Sequence, residues 1–464
     1  MKITKYIIAA VVVALATTMS SCHIYKKFDL PQEGLSAEVA EAQKEAVDST
    51  AVGNVDWQEM FTDPQLQALI MIALDNNVDL ENARLNVEMA NAQLLGAKLS
   101  YLPSVTLSPN AGAMSIAGSK ITRDTWSYQI PAQASWEIDL FGRLLNTKRQ
   151  AKASLLQSEA YQQAVRSQLI SGVANCYYTI VMLEEQLQLM HATADLWEKS
   201  VKTMQDLKEA GRYNEVAVVQ SKANYNSLLA SIPQTEESLH SAYNSLSLLL
   251  NRMPGTVEWE VDTAYEPTFP EYMEEGIPLK YLAARPDVQA AEQSLAIAYY
   301  STNLARSAFY PNLVLSVSGG YTNLIGSIIK NPGEWFYQLA AQLTAPLFNR
   351  GTNIANLKAA KAAQQQSLNT FEYTVMSAGA EVSDALVSYT KNKERVGYIK
   401  EQVDNLSKAV EYNNDLLLYG TATYLEVLTA QQSLLNAQMS MLQCELALRQ
   451  SAISVYQSLG GGRL

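Results

Sequence analysis

Two stretches of the chain alternate apolar and polar residues, which is the pattern of a β-strand with one apolar and one polar face. Across residues 126–140 every even-numbered position is apolar or aromatic. Across residues 335–347 the odd-numbered positions carry the apolar set, from Trp335 to Leu347. A weaker alternation precedes each stretch. The sequence therefore predicts four strands, at about 104–117, 126–140, 312–322 and 335–347.

A heptad pattern occupies four other stretches, in which apolar residues recur in steps of four and three. They are Leu169–Met204, Leu228–Leu249, Ile399–Leu417 and Val427–Leu448. Sustained heptads predict coiled-coil seams, and Gly211 and Gly420 fall between the members of each pair. We expect two antiparallel helical hairpins, with helices over about 64–100, 143–208, 214–251, 278–308, 350–418 and 421–459. Cys176 and Cys444 occupy seam positions, so we expect buried small apolar side chains rather than nucleophiles.

The two halves of the chain share landmarks at similar spacing. Asp79 and Pro103 recur as Asp287 and Pro311, and Leu-Phe-Gly-Arg at 140–143 recurs as Leu-Phe-Asn-Arg at 347–350. This indicates two structural repeats, each with the order helix, strand, strand, very long helix, glycine turn, helix. We place the first repeat at residues 57–251 and the second at 278–464. Residues 252–277, rich in acidic residues and proline, are the predicted equatorial connector.

The first residues have the pattern of an export signal. Lys2 and Lys5 precede a short apolar run, which ends in small residues before Cys22. Small residues before a lone cysteine resemble the processing site of a bacterial lipoprotein. We expect residues 1–21 to be a signal peptide, Cys22 to carry acyl chains, and residues 22–56 to be a lipid-anchored tether. An ordinary signal peptide with an incidental cysteine is the alternative.

Composition excludes several classes of function. The chain has 34 basic and 46 acidic residues, which argues against binding to nucleic acid. Three histidines and three cysteines are too few for a multi-metal protein or a disulfide framework. His191 and His240 flank seam positions and are expected on helix surfaces. The common catalytic and nucleotide-binding motifs are missing from the sequence. We expect no enzymatic activity, no metal and no cofactor.

The strand count bears on the oligomeric state. Amphipathic strands with aromatic ends are typical of an outer-membrane β-barrel, and a sandwich with one wet face is the alternative. Four strands cannot close a barrel, which needs about eight, and open strand edges are excluded from lipid. If these strands cross a membrane, several chains must share one barrel. Three chains supply about twelve strands, enough for a water-filled lumen.

Together these landmarks resemble the TolC-type outer-membrane efflux family, in its lipoprotein (NodT- or OprM-like) branch. The matching stretches are Trp136–Arg143, Arg285–Glu292, Ala308–Pro311, Ala345–Phe348 and Gly420–Gln431. The resemblance implies a mainly α fold with a small β part: a homotrimer with a 12-stranded barrel in the outer membrane and an α-helical barrel in the periplasm. It implies a passive conduit that exports small toxic molecules together with a periplasmic adaptor (membrane fusion) protein and an inner-membrane RND-type pump.

The resemblance also implies roles for residues near the two glycine turns. The expected adaptor contacts at the periplasmic tips are Gly211, Arg212, Gly420, Thr421 and Ala422. Glycines that merely cap helices are the alternative, and the first turn lacks the Leu-Asp usual in the family. Asp415 and Asn414, which precede the second turn, are candidates for the periplasmic gate. Solvated residues on a helix face are the alternative for these two.

Three other classes of function stay open. The chain is alternatively the outer-membrane component of a type I polypeptide secretion system, an envelope-anchored enzyme or a lipid-anchored coiled-coil scaffold. A scaffold accounts for the heptads but not for four amphipathic strands at duplicated places.

Overall fold

The computed structural model describes residues 23–31, 35–46, 56–113, 126–255, 282–325, 328–419 and 421–462. The chain is mainly helical. A short 3₁₀ turn (His23–Tyr25) is followed by nine described helices: α1 (Leu35–Ala46), α2 (Trp57–Met60), α3 (Pro64–Asn76), α4 (Val78–Leu99), α5 (Arg143–Glu209), α6 (Glu215–Leu249), α7 (Pro286–Ser307), α8 (Thr352–Leu418) and α9 (Tyr424–Ser458). The described strands are β1 (Ser104–Leu107), β2 (Asn110–Ala113), β3 (Trp126–Ile138), β4 (Asn312–Ile325) and β5 (Ile328–Thr344).

The chain divides into two compact units. The first lies within Met1–Glu33, Asn86–Glu159 and Ala290–Glu372, and it contains the sheet. The second lies within Gly34–Leu85, Ala160–Gln289 and Tyr373–Leu464, and it contains both helical hairpin turns. Helices α5 and α8 contribute residues to both units. Each has 67 residues, and α6 and α9 have 35 residues each. At 1.5 Å per residue, α5 and α8 are each about 100 Å long.

The five strands form one antiparallel sheet. Its order is β1–β3–β4–β5, and β2 also pairs with β3. The expected single strand at 104–117 is interrupted in its described part at Ser108 and Pro109, which separate β1 from β2, although both pair with β3 in one continuous register. The Ser108 N–H donates to the carbonyl of Pro131 on β3 (3.1 Å). Pro131 has no N–H to donate in return, so the ladder is interrupted there. Residues 114–117 lie outside the described part. The last strand begins earlier than expected, at Ile328.

The expected continuous helix over 64–100 is also wrong, because Asn77 separates α3 from α4. Its backbone is extended (φ −65°, ψ 131°). The Asn77 side-chain oxygen accepts hydrogen bonds from the backbone N–H groups of Asp79 (2.9 Å) and Leu80 (3.1 Å). An asparagine that satisfies these N–H groups starts a new helix. Residues 278–281 of the helix expected at 278–308 lie outside the described part, and the described helix α7 begins at Pro286, a residue favoured in the first turn.

The coiled-coil seam of the first hairpin is buried in the second unit. Met190, Ala194 and Trp197 of α5 pack against Leu228 and Ile232 of α6. Leu435 of α9 joins this cluster, so the second hairpin lies against the first. This packing explains the 4–3 spacing of the apolar residues, since each one fills a gap in the facing helix. Among the described helices, none has a stretch apolar enough and long enough to cross a membrane.

Candidate functional site

The strand register gives the sheet two unlike faces. Ala134 of β3 lies opposite Val105 of β1 and Val317 of β4, and Val317 lies opposite Leu339 of β5. The apolar positions of neighbouring strands therefore share one face. This face is exposed in the protomer, since Leu339 retains 76% of its accessible surface. A contiguous exposed apolar face of this kind marks a surface that contacts a membrane or another protein.

The opposite face carries mostly uncharged polar side chains. One row across the sheet consists of Thr106, Gln133, Ser318 and Gln338. Glu137, near the end of β3, is paired with Arg143 at the start of α5, at 2.7 Å between Oε1 and Nε. The side chains of hydroxyl and amide residues both donate and accept hydrogen bonds. This face is therefore suited to contact with water.

A bulge in β4 fastens the far end of the sheet. The register shifts between Thr322 and Leu324, and Asn323 is buried. The Asn323 side chain accepts a hydrogen bond from the backbone N–H of Tyr128 (2.8 Å) and donates one to the carbonyl of Trp126 (2.9 Å). Thr322 donates to the carbonyl of Tyr128 (3.2 Å). Side chains thus extend the β3–β4 pairing where the backbone ladder ends.

The segment that follows Cys22 is fastened to the β3–α5 junction. Ile24 is buried, and its carbonyl accepts a hydrogen bond from the Asn146 side chain (3.0 Å). Arg149 donates to the carbonyls of Tyr25 and Lys26, both at 3.0 Å. We call residues 23–28 the N-terminal strap. Both helix residues lie on α5, so the strap is held at the beginning of that helix.

The junction is shaped to receive the strap. Gly142 has a φ of +68°, a conformation that favours glycine. A side-chain carbon at Gly142 would lie 3.1 Å from Ile24 Cγ2. Farther along, the backbone N–H of Phe28 donates to the Tyr300 hydroxyl (3.1 Å). The ring of Phe28 lies 5.7 Å from that of Tyr299. Cys22 itself lies outside the described residues.

The first hairpin turn contains Gly211 and Arg212. Gly211 has a φ of +73°. The N–H groups of Gly211 and Arg212 donate to the carbonyls of Lys208 (2.9 Å) and Leu207 (2.9 Å), which ends α5. Arg212 is exposed. Both expected contact residues therefore stand at the turn, and glycine has a structural reason to be there.

The second hairpin turn is closed by Thr421 and Ala422. The N–H groups of both donate to the carbonyl of Leu416, at 3.0 and 3.2 Å. Gly420 lies outside the described residues. Thr423 and Glu426 then form a reciprocal capping box that starts α9. Asp415 and Asn414, the two gate candidates, are both exposed on the last turns of α8.

The two tips share one small core. Tyr424, at the start of α9, is 5% exposed and packs with Met204 and Val218 from the first hairpin. Its hydroxyl shares a hydrogen bond with Ser221 Oγ at 3.0 Å. The ring of Tyr213 lies 6.3 Å from that of Tyr424. The structure thus brings the two expected docking turns together, through residues that sequence analysis did not select.

Arg285 ties the start of α7 to two other helices. Its guanidinium binds Asp287 (2.7 Å), Glu381 of α8 (2.7 Å) and the carbonyl of Ser458 at the end of α9 (2.7 Å). Burial lowers the pKa of Arg285, but the hydrogen bonds to Asp287 and Glu381 outweigh it and raise the pKa above its usual value. Arg285 lies beside a cavity of about 690 Å³ that Ser167 and Asp384 also line.

The described cysteines pack within the helices, and the described histidines of the long helices lie on the surface. Cys444 is 2% exposed. Cys176 is half-buried, its thiol lies 3.3 Å from the carbonyl of Ala242, and burial raises its pKa to about 11. His191 and His240 are exposed on their helices. Within the described ranges, no three His, Cys, Asp or Glu side chains are grouped closely enough to hold a metal ion.

Sequence analysis missed the residues that fasten the parts together. Tyr424, Asn146, Asn323 and Arg285 were not selected as site residues, although Tyr424 and Arg285 both lie in stretches that carry the family resemblance. A polar residue adjacent to a predicted turn or strand end was the available signal for Asn146 and Asn323. That signal does not identify their partners, which are far away in the sequence.

Comparison with known proteins assigns the family. The model for the family described as "Outer membrane efflux protein" matches residues 69–252 and 278–461. The chain therefore belongs to the outer membrane efflux protein family, whose members are outer-membrane channels. The prediction of an efflux protein located in the outer membrane is confirmed.

Individual relatives match along most of the chain. The probable outer membrane lipoprotein SilC of Salmonella typhimurium is 29% identical over 412 residues, which cover 88% of each chain. The cation efflux system protein CusC of Escherichia coli K12 is 29% identical over 454 residues, which cover 97% of this chain and 98% of CusC. A crystal structure of CusC is similar with a TM-score of 0.79 at 28% identity, covering 88% of this chain and 95% of that chain.

Proposed function

We propose that three copies of this chain form one passive channel, the outer-membrane conduit of a tripartite system that exports small toxic molecules. The observation that carries the proposal is the sheet, which has one apolar face, one polar face and two outer strands. Within the described part, β5 pairs only with β4, and β1 and β2 pair only with β3. Unpaired edges are excluded from lipid. Because β1 and β2 occupy one strand position beside β3, each copy supplies four positions. A barrel of about twelve strand positions from three copies removes the unpaired edges.

The long helices support an α-helical barrel made by the same three copies. Seam positions on α5 such as Ala194 and Trp197 are buried in the protomer. The corresponding positions on α8, including Val403 and Leu406, are only half-buried. Half-buried seam residues are what a helix shows when a neighbouring copy supplies the rest of its contact.

The partners proposed for the helical tips are a periplasmic adaptor protein and, through it, an inner-membrane RND-type pump. The adaptor contacts are Gly211, Arg212, Gly420, Thr421 and Ala422. The exposure of Arg212 and Thr421 and the shared core of the two tips support a single docking surface. The name of CusC, a protein of a cation efflux system, supports membership of such a system.

The proposed lipid anchor is Cys22, acylated after removal of residues 1–21. The N-terminal strap supports this assignment, because Ile24, two residues after Cys22, is bonded to the start of α5, close to the end of a strand with an apolar face. The name of SilC, a probable outer membrane lipoprotein, supports it as well.

The trimeric conduit is tested with the full chain purified in detergent. Light scattering should give the mass of three protein copies, and planar bilayers containing the protein should pass ion current. The control is a heat-denatured sample in the same detergent. A monomer at every concentration, together with bilayers that carry no current, contradicts the proposal.

The gate is tested at Asp415. Three carboxylates around one axis would concentrate negative field, so Asp415→Ala should raise the leak conductance of the isolated channel. Asp404→Ala removes an exposed carboxylate from the same helix three turns earlier and should leave the leak unchanged. If Asp415→Ala also leaves the leak unchanged, Asp415 is not part of the gate.

A further inference from the structure

Charge is distributed very unevenly over the sheet. The five strands contain three charged side chains, Glu137, Lys330 and Glu334. Glu137 is paired with Arg143, and Glu334 is paired with Lys330. The carboxylates on the polar face are thus neutralised by adjacent cations, and they stand towards opposite ends of the sheet.

The rows between these two ends carry no charge. Gln133 lies opposite Thr106 and Ser318, and Ser318 lies opposite Gln338. The next row has Ser135 opposite Ser316. The remaining positions of this face, such as Pro131, Gly320 and Phe336, are uncharged too.

Charge selection in a pore requires fixed charges along its wall. Rings of acidic side chains favour cations and rings of basic side chains favour anions. Even in water, a fixed unit charge interacts with an ion 4 Å away by about 1 kcal/mol, and the charges of three copies add to this energy. Hydroxyl and carboxamide groups instead donate to anions and accept from cations. A wall of such groups solvates ions of both signs.

We propose that the sheet section of the conduit is a charge-neutral passage, which accepts cations, anions and uncharged solutes without coulombic selection. The inference rests on the proposed function, because it takes the polar face as the wall of the lumen. Any selection by charge then belongs to the helical section, where acidic residues such as Asp415 are exposed.

The test measures how thiol reagents of opposite charge reach this wall. Gln133→Cys is introduced into the full-length protein in vesicles. It is treated with a cationic and an anionic methanethiosulfonate, and each rate is divided by the rate with a small free thiol. A local electrostatic energy of about 1.4 kcal/mol would change the reaction rate of a charged reagent tenfold. On a neutral wall this energy is small, so the two normalised rates should agree within about threefold.

Three comparisons fix the interpretation. Ala134→Cys, one residue away on the apolar face, should react with neither reagent from water. The unsubstituted protein gives the background, which should be small because Cys444 is buried and the raised pKa of Cys176 keeps that thiol protonated near pH 7. Gln133→Glu should shift the reversal potential in a KCl gradient towards greater cation selectivity than the parent protein shows, because it places a ring of carboxylates on the wall.

The outcomes separate this inference from the proposed function. If current passes but the normalised rates at Gln133→Cys differ more than tenfold, the passage is not neutral and the inference fails alone. If the apolar-face cysteine reacts and the polar-face cysteine does not, the faces are reversed and the inference fails with its premise. If no current passes and neither reagent reacts, the conduit itself is wrong.

Discussion

Gly320 has no room for a side chain. A Cβ atom there would overlap the carbonyl oxygen of Ile130 on the neighbouring strand. Because that oxygen belongs to the backbone of β3, a substitution must push two strands apart. Gly320→Ala should therefore destabilise the sheet by about 1–3 kcal/mol and lower the yield of assembled protein in membranes.

Gly112 of β2 is the matched control, because a Cβ atom there would meet nothing within 4 Å. Gly112→Ala should leave the assembled yield unchanged. Equal yields for the two variants would show that the β3–β4 approach at Gly320 does not limit assembly.

Asn146 holds the N-terminal strap by a buried hydrogen bond to Ile24, and Asn146→Ala leaves that carbonyl without its partner. The loss should cost about 1–3 kcal/mol of strap stability. Lys26 and Lys27 are exposed, so trypsin cleaves there once the strap opens. The cleavage rate should rise about tenfold or more, since local opening is set by local stability.

The control for the strap is Gln150→Ala, which removes a hydrogen bond from α5 to Ser301 (2.8 Å) and does not touch the strap. Its cleavage rate at Lys26 and Lys27 should match the parent protein. A strap that is cut equally fast in all three proteins is not held by Asn146.

For individual residues, the sequence predicted which side chains are buried better than it predicted which side chains contact each other. The seam position of Cys444 is buried as expected, because the heptad pattern reports which helix face is covered. Cys176, predicted by the same pattern, is only half-buried. The link between Ser221 and Tyr424 spans some two hundred residues, and no local pattern encodes such a contact.

Helices and strands were predicted correctly where the hydrophobic periodicity is sustained. Their interruptions were missed where a single residue breaks the pattern of backbone hydrogen bonds. The alternation through 104–117 continues across Ser108 and Pro109, but Pro131, opposite Ser108 on β3, cannot donate to the ladder. The helical pattern from 64 to 100 continues across Asn77, whose side chain caps a new helix instead. Both breaks come from the hydrogen-bonding chemistry of one residue, which hydrophobic periodicity does not report.

The two hairpin tips are joined as elements by Tyr424. Tyr424→Ala removes a buried ring from the core with Met204 and Val218, at a cost of about 3–5 kcal/mol. Amide hydrogen exchange should then rise by at least tenfold in both turns, around 205–219 and 417–428, because each tip loses the other's support.

Tyr419→Ala is the control for the tips, since Tyr419 is 83% exposed on the same hairpin. Its exchange rates should equal those of the parent protein. Faster exchange confined to the second tip in Tyr424→Ala would show that the first tip is stable by itself.

The orientation of the sheet in the whole molecule is tested by substituting two adjacent residues of β5, one on each face. Leu339→Arg places a charge on the apolar face and should cost about 2–4 kcal/mol per copy if that face lies in the membrane. Gln338→Arg places the same charge on the polar face, where water accepts it. The first variant should lose assembled protein in the membrane fraction and the second should retain it.

The proposed orientation of the sheet is contradicted if Gln338→Arg loses the assembled protein and Leu339→Arg keeps it. The parity of apolar residues along each strand was sufficient to predict these faces. The register between strands was not predictable, because it depends on the bulge at Thr322 and Asn323 and on partners distant in the sequence.

The interruption at Pro109 also affects how protomers join. If β5 of one copy pairs with β1 and β2 of the next, its 17 residues meet a partner that lacks a donor midway. The boundary between subunits then lacks a backbone hydrogen bond near its middle. In the proposed barrel a solitary subunit cannot shelter its strand edges in hydrocarbon, so insertion into the bilayer and association with the other two copies would have to occur as one event.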